Sequence, residues 1–421
     1  MAVTAEPRLG VVFDEGAATI QDVVAATRGL AEPVFLAPDT PFNRTMAPML
    51  GALGAVDADI RSARAAGLAG VLTYSETQLT LTCRLATELG LPFHRPRTVE
   101  QLTSKLAQRR SLAAAGVETV RVARIDRVGD WPAAVAQVGL PLVLKPCRGQ
   151  SSAHTHLIED TRAGERLVRL ILAESPPGTV LLAEEFLAGL DCAPLGDYVS
   201  VESVVQDGHP VHIAVTGKLP LARPFRETGQ FWPAALTKSN QDAVRARTSA
   251  AIRALGVRDG VTHTELKLTA GGPRLIEVNG RLGGNINELS LRAGGPDLAR
   301  AAASIALSRP VVVAPHTPDR VHFQLTHPAP DRVGELVRVT GVERVRAHPA
   351  VRRYVPRMRP GDRLTGAVAT RNVDLICGDA ATVPEMVTAV AELAALSGYV
   401  FDTPDGRVTL TGAQLAQWLP G

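Results

Sequence analysis

The alternation of apolar and polar positions changes character twice along the chain. Between residues 1 and 97 short apolar runs at Leu9–Phe13, Val34–Ala37 and Leu68–Tyr74 read as strands, and the 3.6-residue period at Thr19–Leu30 and Thr77–Leu89 reads as helix. Such a βαβα rhythm predicts a small parallel sheet covered by helices. The prolines of the Leu91–Arg97 segment break both periods and mark a linker. From 98 to 308, helices at Thr98–Ala115 and Asn240–Leu255 are interspersed with strands at Leu142–Lys145, His154–Glu159 and Val180–Phe186. Hairpins span Val199–Val215 and Thr262–Asn285, so this is an α+β region with antiparallel pairs. Beyond Ser308, strands at Val321–Leu325, Gly334–Val339 and Leu364–Thr370 precede one helix at Val383–Ser397. The expected class is α/β followed by α+β, in three domains at 1–97, 98–308 and 309–421.

The hairpin Thr262–Asn285 carries the most chemistry. His263, Glu265 and Lys267 share one face of its first strand; Glu277 and Asn279 share a face of the second, with Ile276 and Val278 on the other. Pairing about the Ala270–Pro273 turn sets Glu265 opposite Glu277, which is destabilising unless compensated. Two carboxylates and an amide oxygen are hard ligands suited to Mg²⁺. Arg281 and Gly283-Gly284 follow at once. The competing reading is a solvated charged hairpin with no ligand.

Composition narrows the field. At 421 residues the chain exceeds one ordinary core, and 45% hydrophobic with 21% charged residues is typical of a globular protein. A net charge of +3 with scattered arginines gives no nucleic-acid footprint. Cys83, Cys147, Cys192 and Cys377 have neither CxxC nor metal spacing and are expected as reduced thiols. No signal-peptide pattern and no membrane-length apolar run appear, so the expected location is the cytoplasm, with no membrane partner. No GxGxxG follows the first strand, and there is no Walker A motif or GxSxG elbow. His316, His322, His327 and His348 form no HExxH pattern and read as structural, and Trp131, Trp232 and Trp418 as packing residues.

Three further segments matter. The strand Leu142–Lys145 delivers a lysine into a loop containing Gly149, Ser151, Ser152 and His154, where small residues let backbone N–H groups approach phosphate. Another apolar strand ends in Glu184-Glu185-Phe186-Leu187 and then Asp191, either a purine hinge or a buried strand with solvated acids at its mouth. Lys218 closes a third strand.

In this order, the lysine-bearing helix, strand-lysine-glycine loop, Glu-Glu strand end, lysine and carboxylate pair ending in Glu277-Val-Asn279-Gly-Arg281 resemble the ATP-grasp superfamily. Within it, the likeness is to the carboxylate–amine ligases, best to the L-amino-acid ligases and more distantly to biotin carboxylase. It covers Thr98–Ser308. The flanks are compatible with the family's Rossmann-like preATP-grasp domain and small C-terminal α+β domain. The resemblance implies that Lys105 and Lys145 hold ATP phosphates beneath the loop Gly149–Ser152. It makes Glu184, Glu185, Phe186 and Leu187 the adenine hinge and Asp191 the ribose ligand, with Asp197 and Glu202 as alternatives. Glu265, Glu277 and Asn279 would bind two Mg²⁺ ions, or Mn²⁺. Arg281 would face the reactive carboxylate and acyl phosphate, and Lys218 would lie near the γ-phosphate. The implied activity is ADP-forming amide synthesis from a small-molecule acid and amine, by a homodimer. Biotin-carboxylase-like carboxylation and non-catalytic ATP binding are the alternatives. Four positions depart from the family pattern: Ser151 and His154 replace loop glycines, Asp191 replaces a Glu, and Gln230 replaces a common His.

Overall fold

The computed structural model describes residues 6–366 and 369–417, and their strands fall into four sheets. Trp418 lies outside the described residues. The first sheet is parallel, with Arg8–Val12 between Glu32–Ala37 and Gly70–Leu72, and Val56–Asp57 at the far edge beyond Glu32–Ala37. Leu9, Val11, Leu36 and Val71 are buried, as expected of a parallel sheet covered on both faces. Helices Ile20–Thr27 and Leu79–Leu89 fall where the periodicity puts them. The helix Pro41–Ala52 does not follow from that periodicity, since it buries only Asn43 and Leu50 and so has little apolar stripe.

The second sheet is antiparallel and eight-stranded. Its order is Gly272–Asn279, Gly260–Thr269, Tyr198–Gln206, His209–Lys218, Gly229–Trp232, Val321–Pro328, Asn372–Ala380 and Val351–Pro356. It crosses residue 308 without interruption, so the C-terminal segment begins by extending the central sheet. Asn372–Ala380 is an unexpected strand; all but its first residue are buried, and burial on both faces erases the alternation that identifies a strand. A small C-terminal sheet joins Arg363–Thr365, Val333–Thr340, Gly398–Thr403 and Gly406–Thr411. The fourth sheet, Val122–Ile125, Leu181–Glu185, Leu142–Pro146 and His156–Ile158, forms a core with the helices Trp131–Val138 and Thr161–Glu174, and Trp131 is fully buried in it.

Thr98–Ala115, expected as one helix, is two. Pro96–Thr103 ends at an extended Ser104, whose hydroxyl accepts from the Ala107 N–H and caps Lys105–Ala114. Lys105 therefore stands at a helix start, where its backbone N–H donates to Cys147 O at 2.9 Å. The helix Leu298–Ala306 packs into the core of the N-terminal sheet, and Tyr74 donates to Ala299 O at 2.8 Å. No described helix is long and apolar enough to cross a membrane.

Candidate active site

The hairpin pairs as its sequence requires: His263 faces Asn279 and Glu265 faces Glu277. The register then shifts, so that Leu266 faces Leu275 and Ile276 is the extra residue. Ile276 was expected on the face away from Glu277; the bulge instead brings it to the same cavity wall. Like charge at Glu265 and Glu277 is compensated locally. His263 Nε2 lies 3.1 Å from Glu265, and Lys105 Nζ lies 3.1 Å from Glu277.

The cavity they line has a volume of about 340 Å³. Lys145 projects into it beside Glu184, its diagonal neighbour across the strand pair, at 2.7 Å. Arg109, one helical turn after Lys105, holds the same carboxylate at 3.1 and 3.2 Å. Burial pushes the Glu184 carboxyl up, but Arg109 and Lys145 outweigh it and hold it at about 2. Burial lowers the Lys145 ammonium, and Glu184 does not fully offset it because Arg109 and Lys105 lie nearby. At Lys105 burial also lowers, but Glu277 prevails and the ammonium is raised. His263 sits between Glu202 at 2.8 Å and Glu265; burial opposes its charge, yet the two carboxylates raise it to about 9.

Gly149, Ser151 and Ser152 line the cavity, and the loop bends through left-handed backbone at φ 142° for Gly149, 57° for Ser151, 52° for Ser152 and 49° for His154. The residues standing in for family glycines thus occupy backbone that glycine adopts most easily, at a cost of roughly 1–2 kcal/mol each. Ser151 O accepts from Thr370 N at 2.7 Å, which ties this loop to the C-terminal segment.

Glu185, Phe186 and Leu187 line the cavity as the hinge reading requires. Glu184 also lines it, but its side chain is committed to Lys145 and Arg109, so only its backbone is left for the hinge role expected of it. Asp191 is not among the lining residues; it is exposed and accepts from Ala193 N at 3.2 Å, a local turn contact. Glu202 is buried against His263 and Ser200, and Asp197 pairs with the lining Lys267 at 2.6 Å. Lys218 is not a lining residue either. It lies buried behind Tyr198, donating to Gln230 at 2.9 Å and pairing with Glu227 at 3.5 Å, so it supports the wall rather than facing a ligand. Gln230 in turn donates to Gly284 O and Gln324.

Two residues of the parallel sheet's loops join the site. Glu76 Oε2 lies 3.1 Å from Arg281 Nε, without hydrogen-bond alignment, and burial raises its carboxyl despite Arg281. Glu15 lines the cavity from the loop after the first strand. Sequence reasoning missed Arg109, Glu76 and Glu15. Arg109 was signalled by its i,i+4 spacing from Lys105, and the two acids by their places after parallel strands.

Among the described residues no group of three or more His, Cys, Asp or Glu side chains is drawn together to hold a metal by itself. Glu265, Glu277 and Asn279 nonetheless offer only oxygen donors along one wall. That suits Mg²⁺, which uses one or two carboxylates and completes its shell with water and phosphate oxygens.

Comparison with known proteins agrees with this geometry. The ATP-grasp domain family model matches residues 138–288, and that of the L-amino acid ligase C-terminal domain 2 matches 328–373. Residues 138–288 form an ATP-grasp domain. The chain is 29% identical over 244 residues to alanine–anticapsin ligase of Bacillus subtilis (strain 168), covering 54% of this chain and 52% of that protein. It is also 29% identical over 252 residues to carnosine synthase 1 of Homo sapiens, covering 54% of this chain and 29% of the relative. The chain therefore spans about half the length, or less, of these curated relatives. The crystal structure of an L-amino acid ligase from Bacillus licheniformis superposes with a TM-score of 0.77 at 20% identity, covering 97% of this chain and all of the other. That likeness shows a shared fold.

Proposed function

We propose that this chain is an ATP-dependent carboxylate–amine ligase acting on amino acids through an acyl phosphate. A carboxylate oxygen attacks the γ-phosphorus and ADP leaves; the amine nitrogen then attacks the carbonyl carbon and phosphate departs with the attacking oxygen. One observation carries the reading: each charged group this reaction needs already stands in one cavity, neutralised by an internal partner. Lys105 rests on Glu277, Lys145 on Glu184, and Arg281 on Glu76. On binding, Lys105 would exchange Glu277 for phosphate oxygens, and Arg281 would turn from Glu76 to the substrate carboxylate. Fixed positive charge in a site shielded from water stabilises the transferring phosphoryl group. Divalent ions held by Glu265, Glu277 and Asn279, two in our reading, would supply further neutralisation of the β- and γ-phosphates. The loop Gly149–Ser152 would cover the phosphates and keep water from the acyl phosphate. Of the ribose candidates, Asp197 pairs with the lining Lys267 and Glu202 with the lining His263.

The test is nucleotide and product analysis by mass spectrometry with ATP, Mg²⁺ and pooled amino acids. ADP with a condensed product lighter than its parts by one water is expected. AMP, or ADP without any condensation, contradicts the proposal.

A further inference from the structure

The parallel sheet has its topological switch point inside the cavity. The chain runs outward from Arg8–Val12 through Glu32–Ala37 to Val56–Asp57, then returns to place Gly70–Leu72 on the other side of the first strand. Ligands of open α/β sheets bind where the loops after two such strands part. Here those loops carry Glu15-Gly16-Ala17 and Glu76. They are bolted together: Ala17 N donates to Tyr74 O at 2.9 Å and Ser75 Oγ to Glu15 O at 2.6 Å. Gly16 permits the contact, since a Cβ there would lie 2.4 Å from Tyr74 O. Asp14, one residue earlier, is held by Thr40 at 2.8 Å and Gln78 at 2.6 Å.

The backbone of this loop is thus fixed, while Glu15 is itself exposed and its carboxylate has no hydrogen bond or ion pair among the described residues. Every other glutamate lining the cavity is paired: Glu184 with Lys145, Glu185 with Arg121, Glu227 with Lys218, Glu265 with His263 and Glu277 with Lys105. An uncompensated carboxylate would repel a polyphosphate, so it does not serve the nucleotide. Ala17 beside it offers apolar surface to an aliphatic stem, and Arg281 on Glu76 places a carboxylate-binding group at the neighbouring loop.

Resting on the ligase reading, we propose that Glu15 is a specificity residue that selects an amino-acid substrate with a cationic, lysine-like side chain. A counter-charge on a fixed backbone has part of its ordering cost met by the fold, leaving only its side-chain rotamers to be settled on binding.

The test compares kcat/KM for L-lysine and its neutral isostere L-norleucine, each with pooled partner amino acids, ATP and Mg²⁺. In the natural protein lysine is favoured. Glu15→Gln lowers the lysine-to-norleucine ratio about threefold, the scale of a solvent-exposed charge pair. Glu15→Lys inverts the charge preference, favouring L-glutamate over norleucine, a gain that a merely damaged fold does not produce. Amide formation without lysine preference, or a ratio untouched by both substitutions, overturns the inference and leaves the ligase reading standing. Absence of ADP and of condensed product with every pair overturns both.

Discussion

Replacing Glu184 by Gln removes the one charge that two buried cations share. The side chain is 4% exposed and lies within 3.1 Å of Arg109 and 2.7 Å of Lys145. Its carboxyl is held at about 2 against an ordinary 4.5, although burial alone would raise it. By linkage a depression of that size corresponds to about 3 kcal/mol of folding stability. Breaking a buried pair by removing one partner costs roughly 3–5 kcal/mol, so two independent routes converge. Because the folded value lies below the unfolded one, this contribution is present above pH 4.5 and is lost as pH falls through about 2. Urea unfolding at neutral pH and along the acid limb measures both consequences. Glu184→Gln should lose about 3 kcal/mol at neutral pH and show a shallower acid limb than the natural protein. A loss under about 1 kcal/mol, the size of an exposed ion pair, or an unchanged acid limb, would refute the reasoning.

Glu277→Gln should abolish ATP-dependent turnover in a steady-state ADP assay, and ligation at an unchanged rate would remove Glu277 from the metal-binding role. Gly149→Ala should raise the KM for ATP about tenfold, because φ 142° strains any side-chain-bearing residue by roughly 1–3 kcal/mol. A Cβ there meets nothing within 4 Å, so the cost is the backbone's alone: the melting temperature should fall by about a few degrees, and an unchanged one would refute the strain. Tyr74→Phe should cost about 1–2 kcal/mol in unfolding by leaving Ala299 O without its donor, and a neutral result would mean that this link between the N-terminal sheet and Leu298–Ala306 is dispensable.

What was legible in the sequence depended on the range over which the physics acts. The pairing of Glu265 with Glu277 could be read because alternation and a tight turn fix a hairpin's register locally. The bulge at Ile276 could not, since it answers to Arg109, whose guanidinium binds Leu275 O and Ile276 O from a distant helix. Lys145 and the glycine loop were visible as a strand followed by small residues. Glu184 was visible too, but as a hinge residue; its role as counter-ion emerges only when strand pairing sets it diagonal to Lys145. Lys218 looked like a ligand-facing lysine because no local pattern shows that Tyr198 and Gln230 cover it. Asp191 was chosen by its distance from the hinge, and its turn with Ala193 points it to solvent. Glu15 and Glu76 reach the site only through the docking of the parallel sheet against the helix Leu298–Ala306, a contact with no sequence-local signature.

The most direct test of carboxylate activation by phosphoryl transfer follows the oxygen. An amino acid labelled with ¹⁸O in its carboxylate, incubated with ATP, Mg²⁺ and an amine partner, should yield ADP and inorganic phosphate carrying one labelled oxygen. Unlabelled phosphate, or label recovered in AMP, would contradict the acyl-phosphate mechanism.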